Sequence, residues 1–294
     1  MKFFLQFSSL FFALFMAQAV NAQQSPQGGG TEKTTGRGDI YTRKNMEQRF
    51  PLKYHHLEEK DIFWEKRVWR VIDVREKINN PFGYPKQPFI NILMAAAISR
   101  EIPIYAPDDD IKPERYVDTM PVADLQTKIS RVDSFPILDD WGNQALDAFG
   151  NPLYKIVTNE LNPEDIQRYR LEEVWFFDEE NSRMGVRIVG IAPMLQVTNN
   201  QTGAVLGEGP IFWIYYPEAR DLLAKNRAFN PFSDVDVMSW EDIFEMRLFS
   251  SYIMKESNVY DRRIQDYKTG LDILYESENI HMSIFNLEQE SWKH

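Results

Sequence analysis

The side chains that could do chemistry are few and poorly spaced for it. The chain has four histidines, His55, His56, His281 and His294, and no cysteine. Adjacent His55 and His56 point apart in any regular structure, and no other His or Cys stands at metal-ligand spacing, so a zinc site is not expected. Without a thiol there is no cysteine nucleophile, and no G-x-S-x-G elbow supports a serine one. Carboxylates are plentiful. Glu172-Glu173 and Glu179-Glu180 are pairs of the kind glycosidases use, but two acids at unknown separation in an acidic chain say little. Asp108-Asp109-Asp110 and Asp139-Asp140 are the best oxygen clusters for calcium. The first lacks the alternating spacing and distal Glu of an EF-hand loop and reads as a solvated acidic loop. Asp139-Asp140-Trp141-Gly142-Asn143 joins an aromatic ring to polar groups, as sugar-binding loops do, and equally fits an exposed turn with one packing Trp. No catalytic set, metal or cofactor is expected.

Composition narrows the remaining classes. Asp and Glu number 44 against 33 Lys and Arg, a formal net charge of −11 over 294 residues. Such a chain does not bind nucleic acid or anionic lipid through its net charge. The aromatic share of 14% is high and calls for a large core or for interfaces. Residues 1–22 read as a secretory signal peptide: a basic start at Lys2, an apolar run Phe3–Val20, and Val20-Asn21-Ala22 before Gln23. Residues 23–39 are polar and Gly-rich, a disordered tether. Residues 40–294 then form a single domain. No later apolar run reaches the roughly 20 residues that span a bilayer, so direct membrane insertion is not expected. An exported chain without cysteine must stabilise its core without disulfides, as a bacterial periplasmic protein does.

The elements that position these residues read as α+β. Asp61–Asn79, DIFWEKRVWRVIDVREKIN, holds two of the seven Trp residues and no breaker before Asn80-Pro81. As a helix it is apolar around roughly two-thirds of its circumference, from Phe63 through Val68 to Trp69. Such a helix is buried from two sides. Phe89–Arg100 reads as a second helix, Ile102–Tyr105 as a short strand, Val122–Ser130 as a helix and Leu153–Thr158 as a strand. An antiparallel sheet built from hairpins is expected around residues 173–216, covered by N-terminal and C-terminal helices. Val174–Phe177 pairs with Met184–Ile191, and Leu195–Thr198 with Ala204–Leu206, while Pro210–Tyr216 is apolar on both faces. Ser239 and Asp242 have capping-box spacing at the start of a helix striped by Trp240, Ile243, Phe244 and Leu248. Helix is expected again over Glu218–Asn226, Ser257–Tyr267, Leu271–Tyr275 and Ile280–Trp292.

What stands out is Trp, Phe and Arg on helices, the residue types of protein–protein interfaces. The candidates are Trp64, Arg67, Trp69, Arg70, Arg75, Trp240, Phe244, Arg247, Arg262 and Arg263. Each is also the kind of residue that fills a core.

DIFWEKRVWRVIDVREKIN followed by NPFGYP resembles the GldN/PorN family of the type IX secretion system of Bacteroidetes. Met238–Tyr267, MSWEDIFEMRLFSSYIMKESNVYDRRIQDY, looks like that family's second signature, and IYYPEAR (Ile214–Arg220) and the closing acidic helix match in kind. The resemblance runs from about Ile40 onward. It implies a non-enzymatic periplasmic subunit of the secretion and gliding machinery. Its implied partners are an outer-membrane lipoprotein of the GldK/PorK type, with which it self-associates in a large ring, and the periplasmic region of a GldM/PorM-type motor protein. The rival class is a periplasmic carbohydrate-binding protein or glycosidase, resting on Asp139–Asn143 and the aromatic content. On the helical reading, Asp61–Asn79 packs Trp64, Val68 and Val71 inward and turns Arg67, Trp69 and Arg70 to a neighbour. Trp69→Ala and Arg70→Ala should then weaken assembly and leave the circular dichroism of the isolated chain intact.

Overall fold

The most apolar stretch of the chain is a strand. In the computed structural model, which describes residues 46–107, 116–136, 154–159, 161–198, 205–233 and 236–291, Ile62–Asp73 runs extended through the middle of a sheet. This corrects the helix expected over Asp61–Asn79; the chain coils only at its two ends, in the 3-10 turns Glu59–Asp61 and Lys77–Gly83. The physical reason is that a strand covered on both faces and a helix buried all round carry the same apolar pattern. Val68, Val71 and Ile72, with Trp64 and Trp69, are the β-branched and aromatic residues that fit a pleated surface.

In chain order the elements are β1 (Ile62–Asp73), α1 (Phe89–Ser99), α2 (Val122–Ile129), β2 (Arg131–Pro136), β3 (Tyr154–Asn159), β4 (Arg168–Asp178), β5 (Arg183–Thr198), β6 (Val205–Pro210), β7 (Ile214–Tyr215), α3 (Tyr216–Lys225), β8 (Arg227–Ala228), β9 (Met238–Ser239), α4 (Trp240–Glu245), β10 (Tyr252–Glu256) and α5 (Asp272–Ser291). The main sheet runs β10-β1-β4-β5-β6, with β7 also on β5, and every pairing is antiparallel. The α+β class and the hairpins β4–β5 and β5–β6 agree with the sequence reading, and the sheet reaches beyond residues 173–216 to both β1 and β10. The described residues lie in the unit Met46–His294. The expected signal peptide and tether, Asp108–Asp110, Asp139–Asn143 and the expected turn Asn199–Gly203 lie outside them.

Pairing sets the faces. Val68 opposes Glu173, Arg70 opposes Leu171 and Ile72 opposes Tyr169 on one face; Arg67, Trp69 and Val71 share the other with Glu172 and Arg170. The first face meets α1, α3 and α4 at one end, through a ring cluster of Phe82, Phe89, Tyr169, Trp240 and Phe244 with Phe89 and Trp240 centroids 4.2 Å apart. At its other end Val68, Ile253, Ile264, Ile280 and Ile284 close under α5. On the second face Trp69, Tyr105, Ala192 and Trp213 pack together, with Tyr116 and Tyr215 beside them. Bulges at Trp69/Arg70 towards β10 and at Glu172/Glu173 towards β5 meet on one cross-strand row, Trp69–Glu172, and curl the sheet there.

The expected capping box forms: the Ser239 hydroxyl accepts from the Asp242 amide at 3.1 Å, and Asp242 Oδ2 accepts from the Ser239 amide at 2.9 Å. The helix it opens is short, and Leu248 lies beyond it, exposed. Helix over Ser257–Tyr267 is a second correction: Asn258 ties its side chain to the 256–262 backbone, and only Ile264–Asp266 makes a 3-10 turn. The two helices expected from Leu271 onward are one, α5. Trp69 is 7% exposed with the Lys255 ammonium 4.7 Å from its ring centre, so its loss acts on folding. Trp69→Ala should cost about 3–5 kcal/mol of stability, read as a lower denaturant midpoint of the isolated chain.

Candidate protein-interaction site

Glu172 and Glu173 stand side by side in β4, and neither side chain has any solvent exposure. Consecutive strand residues point to opposite faces, so the pair cannot close on one substrate as a glycosidase pair does. On the Trp69 face, Glu172 accepts from Arg67 Nη1 and from the Tyr116 hydroxyl, both at 2.9 Å. Tyr116 reaches it only because Gly190 lies beneath: a Cβ there would stand 1.9 Å from the tyrosine oxygen. On the opposite face, Glu173 accepts from Arg247 Nη1 at 2.9 Å, from Arg247 Nη2 at 3.3 Å and from Trp175 Nε1 at 3.1 Å. Arg247 reaches inward from a backbone with φ of 53° and lies over the Trp175 and Phe249 rings. A buried carboxylate costs several kcal/mol unless so engaged.

Four of the ten residues singled out from sequence gather around this row: Arg67, Trp69, Arg70 and Arg247. Trp64 is half-buried against the Val68 cluster. Arg70 is buried and donates from Nε to Ser251 Oγ at 2.9 Å and from Nη2 to the Ser251 carbonyl at 3.3 Å. Burial lowers its pKa, and Glu173 opposes that shift. Trp240 and Phe244 sit apart, each 1% exposed, inside the ring cluster of α1. Arg75 is an exposed clamp on Asp73, holding that carboxyl down to about 2 with help from Arg168. Arg262 is exposed over the Tyr260 and Tyr267 rings, and Arg263 is half-buried beside it.

Sequence reasoning missed a second buried ionic group. Arg220 Nη2 donates to Glu241 at 2.7 Å, and its guanidinium lies 3.7 Å from the Tyr54 ring centre. Burial raises the Glu241 carboxyl's pKa, against the pull of Arg220 and of the Leu52 amide that it accepts at 2.9 Å. Glu245 accepts from the Tyr54 and Tyr216 hydroxyls, Asp242 from Arg49, and the Leu52 carbonyl from Arg220. The segment 49–54 is thus a strap bolted to α3 and α4 through polar groups, while Phe50 and Leu52 turn their side chains outward. The only sequence signal was Arg220 inside IYYPEAR, since the strap itself has no period. Also missed was a band of exposed apolar side chains along α5, from Leu271 to Phe285.

Fold and site together define an α+β domain whose internal arginines and carboxylates hold its own sheet, and which carries apolar side chains outward. The chain belongs to the GldN family, matching "Gliding motility associated protein GldN" over residues 57–293. It is thereby a component of the gliding-motility and type IX secretion machinery. Comparison with curated proteins finds no match. Among the described residues no helix is long and apolar enough to cross a membrane, and no group of three or more His, Asp or Glu is placed to hold a metal.

Two measurements check this electrostatic core. Arg247→Ala leaves Glu173 buried without its ion-pair partner and should cost about 3–5 kcal/mol, whereas Arg262→Ala should leave the melting curve unchanged. Asp73 is more acidic folded, at about 2, than its ordinary 3.8. Its contribution is therefore complete above that ordinary value and is lost as pH falls through about 2; Asp73→Asn should flatten that part of an acid-denaturation curve.

Proposed function

We propose that the chain acts without catalysis, as a periplasmic subunit that forms a large ring with an outer-membrane lipoprotein of the GldK/PorK type. The ring meets the periplasmic region of a GldM/PorM-type motor protein. Residues 1–22 serve as the export signal and residues 23–39 as a tether, so the subunit is held at the outer membrane by its lipoprotein rather than by its own insertion. The observation that carries this reading is the family match over residues 57–293. The structure supports it by the use of the buried acids: Glu172, Glu173 and Glu241 are each engaged by an arginine within the chain. Of the ten interface candidates, Arg67, Arg75 and Arg262 keep solvent-exposed side-chain surface for a neighbour.

Co-expression of the chain with its lipoprotein partner, followed by native mass measurement and electron microscopy, tests the reading. The expected product is a closed ring holding many copies of both chains. A small particle containing this chain alone overturns it.

A further inference from the structure

Helix α5 is apolar on two opposite sides. Ile273, Ser277, Ile280 and Ile284, spaced four, three and four apart, face the sheet and pack against Val68, Ile253 and Ile264. Ser277 there accepts from the Ile253 amide at 2.7 Å. The second stripe is Leu274, Tyr275, Met282 and Phe285, preceded by Leu271 at the helix start, and all five are exposed, Leu271 at 71% and Tyr275 at 68%. At 100° per residue this stripe lies opposite the first. A helix lying on a domain needs one apolar stripe; a second one, facing water over about 21 Å of helix, marks a contact surface.

The charges choose the occupant. Between Asp272 and Ser291 the sequence has no lysine or arginine, while Asp272, Glu278 and Glu290 are exposed acids. Glu278 falls between Tyr275 and Met282, inside the stripe, exposed, with His281 3.9 Å away and the buried Arg70 guanidinium feeling its charge from below. A second copy of α5 laid on the first would set carboxylates against carboxylates. A helix with lysine or arginine flanking an apolar seam would match both the spacing and the sign.

We infer that the outward face of α5 docks a basic amphipathic helix of another protein, with Glu278 taking a cation from it and fixing the register. This rests on the chain being a subunit of a larger assembly. The test places p-benzoylphenylalanine at position 275 of the full-length chain in its native cells and identifies the photo-crosslinked peptide by mass spectrometry. The expected product is a peptide from a different protein with lysine or arginine beside an apolar three-four repeat. Its yield should drop at least tenfold with Glu278→Lys and with Phe285→Ser, both at exposed positions, and Phe285→Ser leaves the melting curve unchanged. A crosslink to a second copy of this chain, a crosslink to lipid, or none at all overturns the inference. So does a yield that ignores both substitutions. If the ring still forms with the lipoprotein in those cases, only the docking face is wrong; if no ring forms in unsubstituted cells, the assembly reading fails instead.

Discussion

Two adjacent, fully buried carboxylates in a central strand set the terms for the rest of the structure. Glu172 and Glu173 need cations on opposite sides of one sheet, so the molecule must bring positive charge to both faces at a single cross-strand row. Arg67 comes from the neighbouring strand, and Arg247 from a turn whose backbone adopts φ of 53° to aim inward. Tyr116 brings its hydroxyl end over Gly190 to finish the first site, and Trp175 finishes the second. Both carboxylates are fully buried, which strengthens their ion pairs and makes the loss of either cation costly. The high aromatic content of the chain is spent partly here and partly in the Phe82–Phe89–Trp240 cluster.

The same row explains what could be read in advance. The β4–β5 and β5–β6 hairpins were legible because polar breaks at Asp178–Arg183 and at Asn199–Gly203 bracket dense β-formers, and the Ser239 cap was legible because its spacing is local. The helical reading of Ile62–Asp73 failed because periodicity measures how many sides of an element are covered, not whether it is coiled or extended. A strand between β10 and β4, with α5 and α4 on one side and Trp213 and Tyr105 on the other, is apolar all round. Arg67 and Arg70 added to the confusion, since charges inside such a run look like a helix's polar strip.

The candidate residues make aromatic and cationic contacts within the chain, and the partners in those contacts were invisible in the sequence. Arg247 and Glu173 are 74 residues apart, and Arg70 and Ser251 are 181 apart. Linear spacing carries no information about such pairs. The strap at 49–54 was hidden for a different reason. It is held by its backbone amide and carbonyl and by the polar tips of Arg49 and Tyr54, so its outward Phe50 and Leu52 give no amphipathic signal.

The placement of β10 also sets when the molecule can fold. β10 lies at the sheet edge, and it is the strand that covers β1 and supplies Ser251 to Arg70 just ahead of it, from nearly the other end of the chain. Arg247, which neutralises Glu173, stands only a few residues earlier. A chain that has paired β1, β4 and β5 holds a bare strand edge and an unmet buried charge until residues 247–256 join them. Pairing across so long a stretch of chain is slow, and completion of the fold waits on the far end of the sequence. The sheet stays open for want of its last strand and locks once that strand is seated.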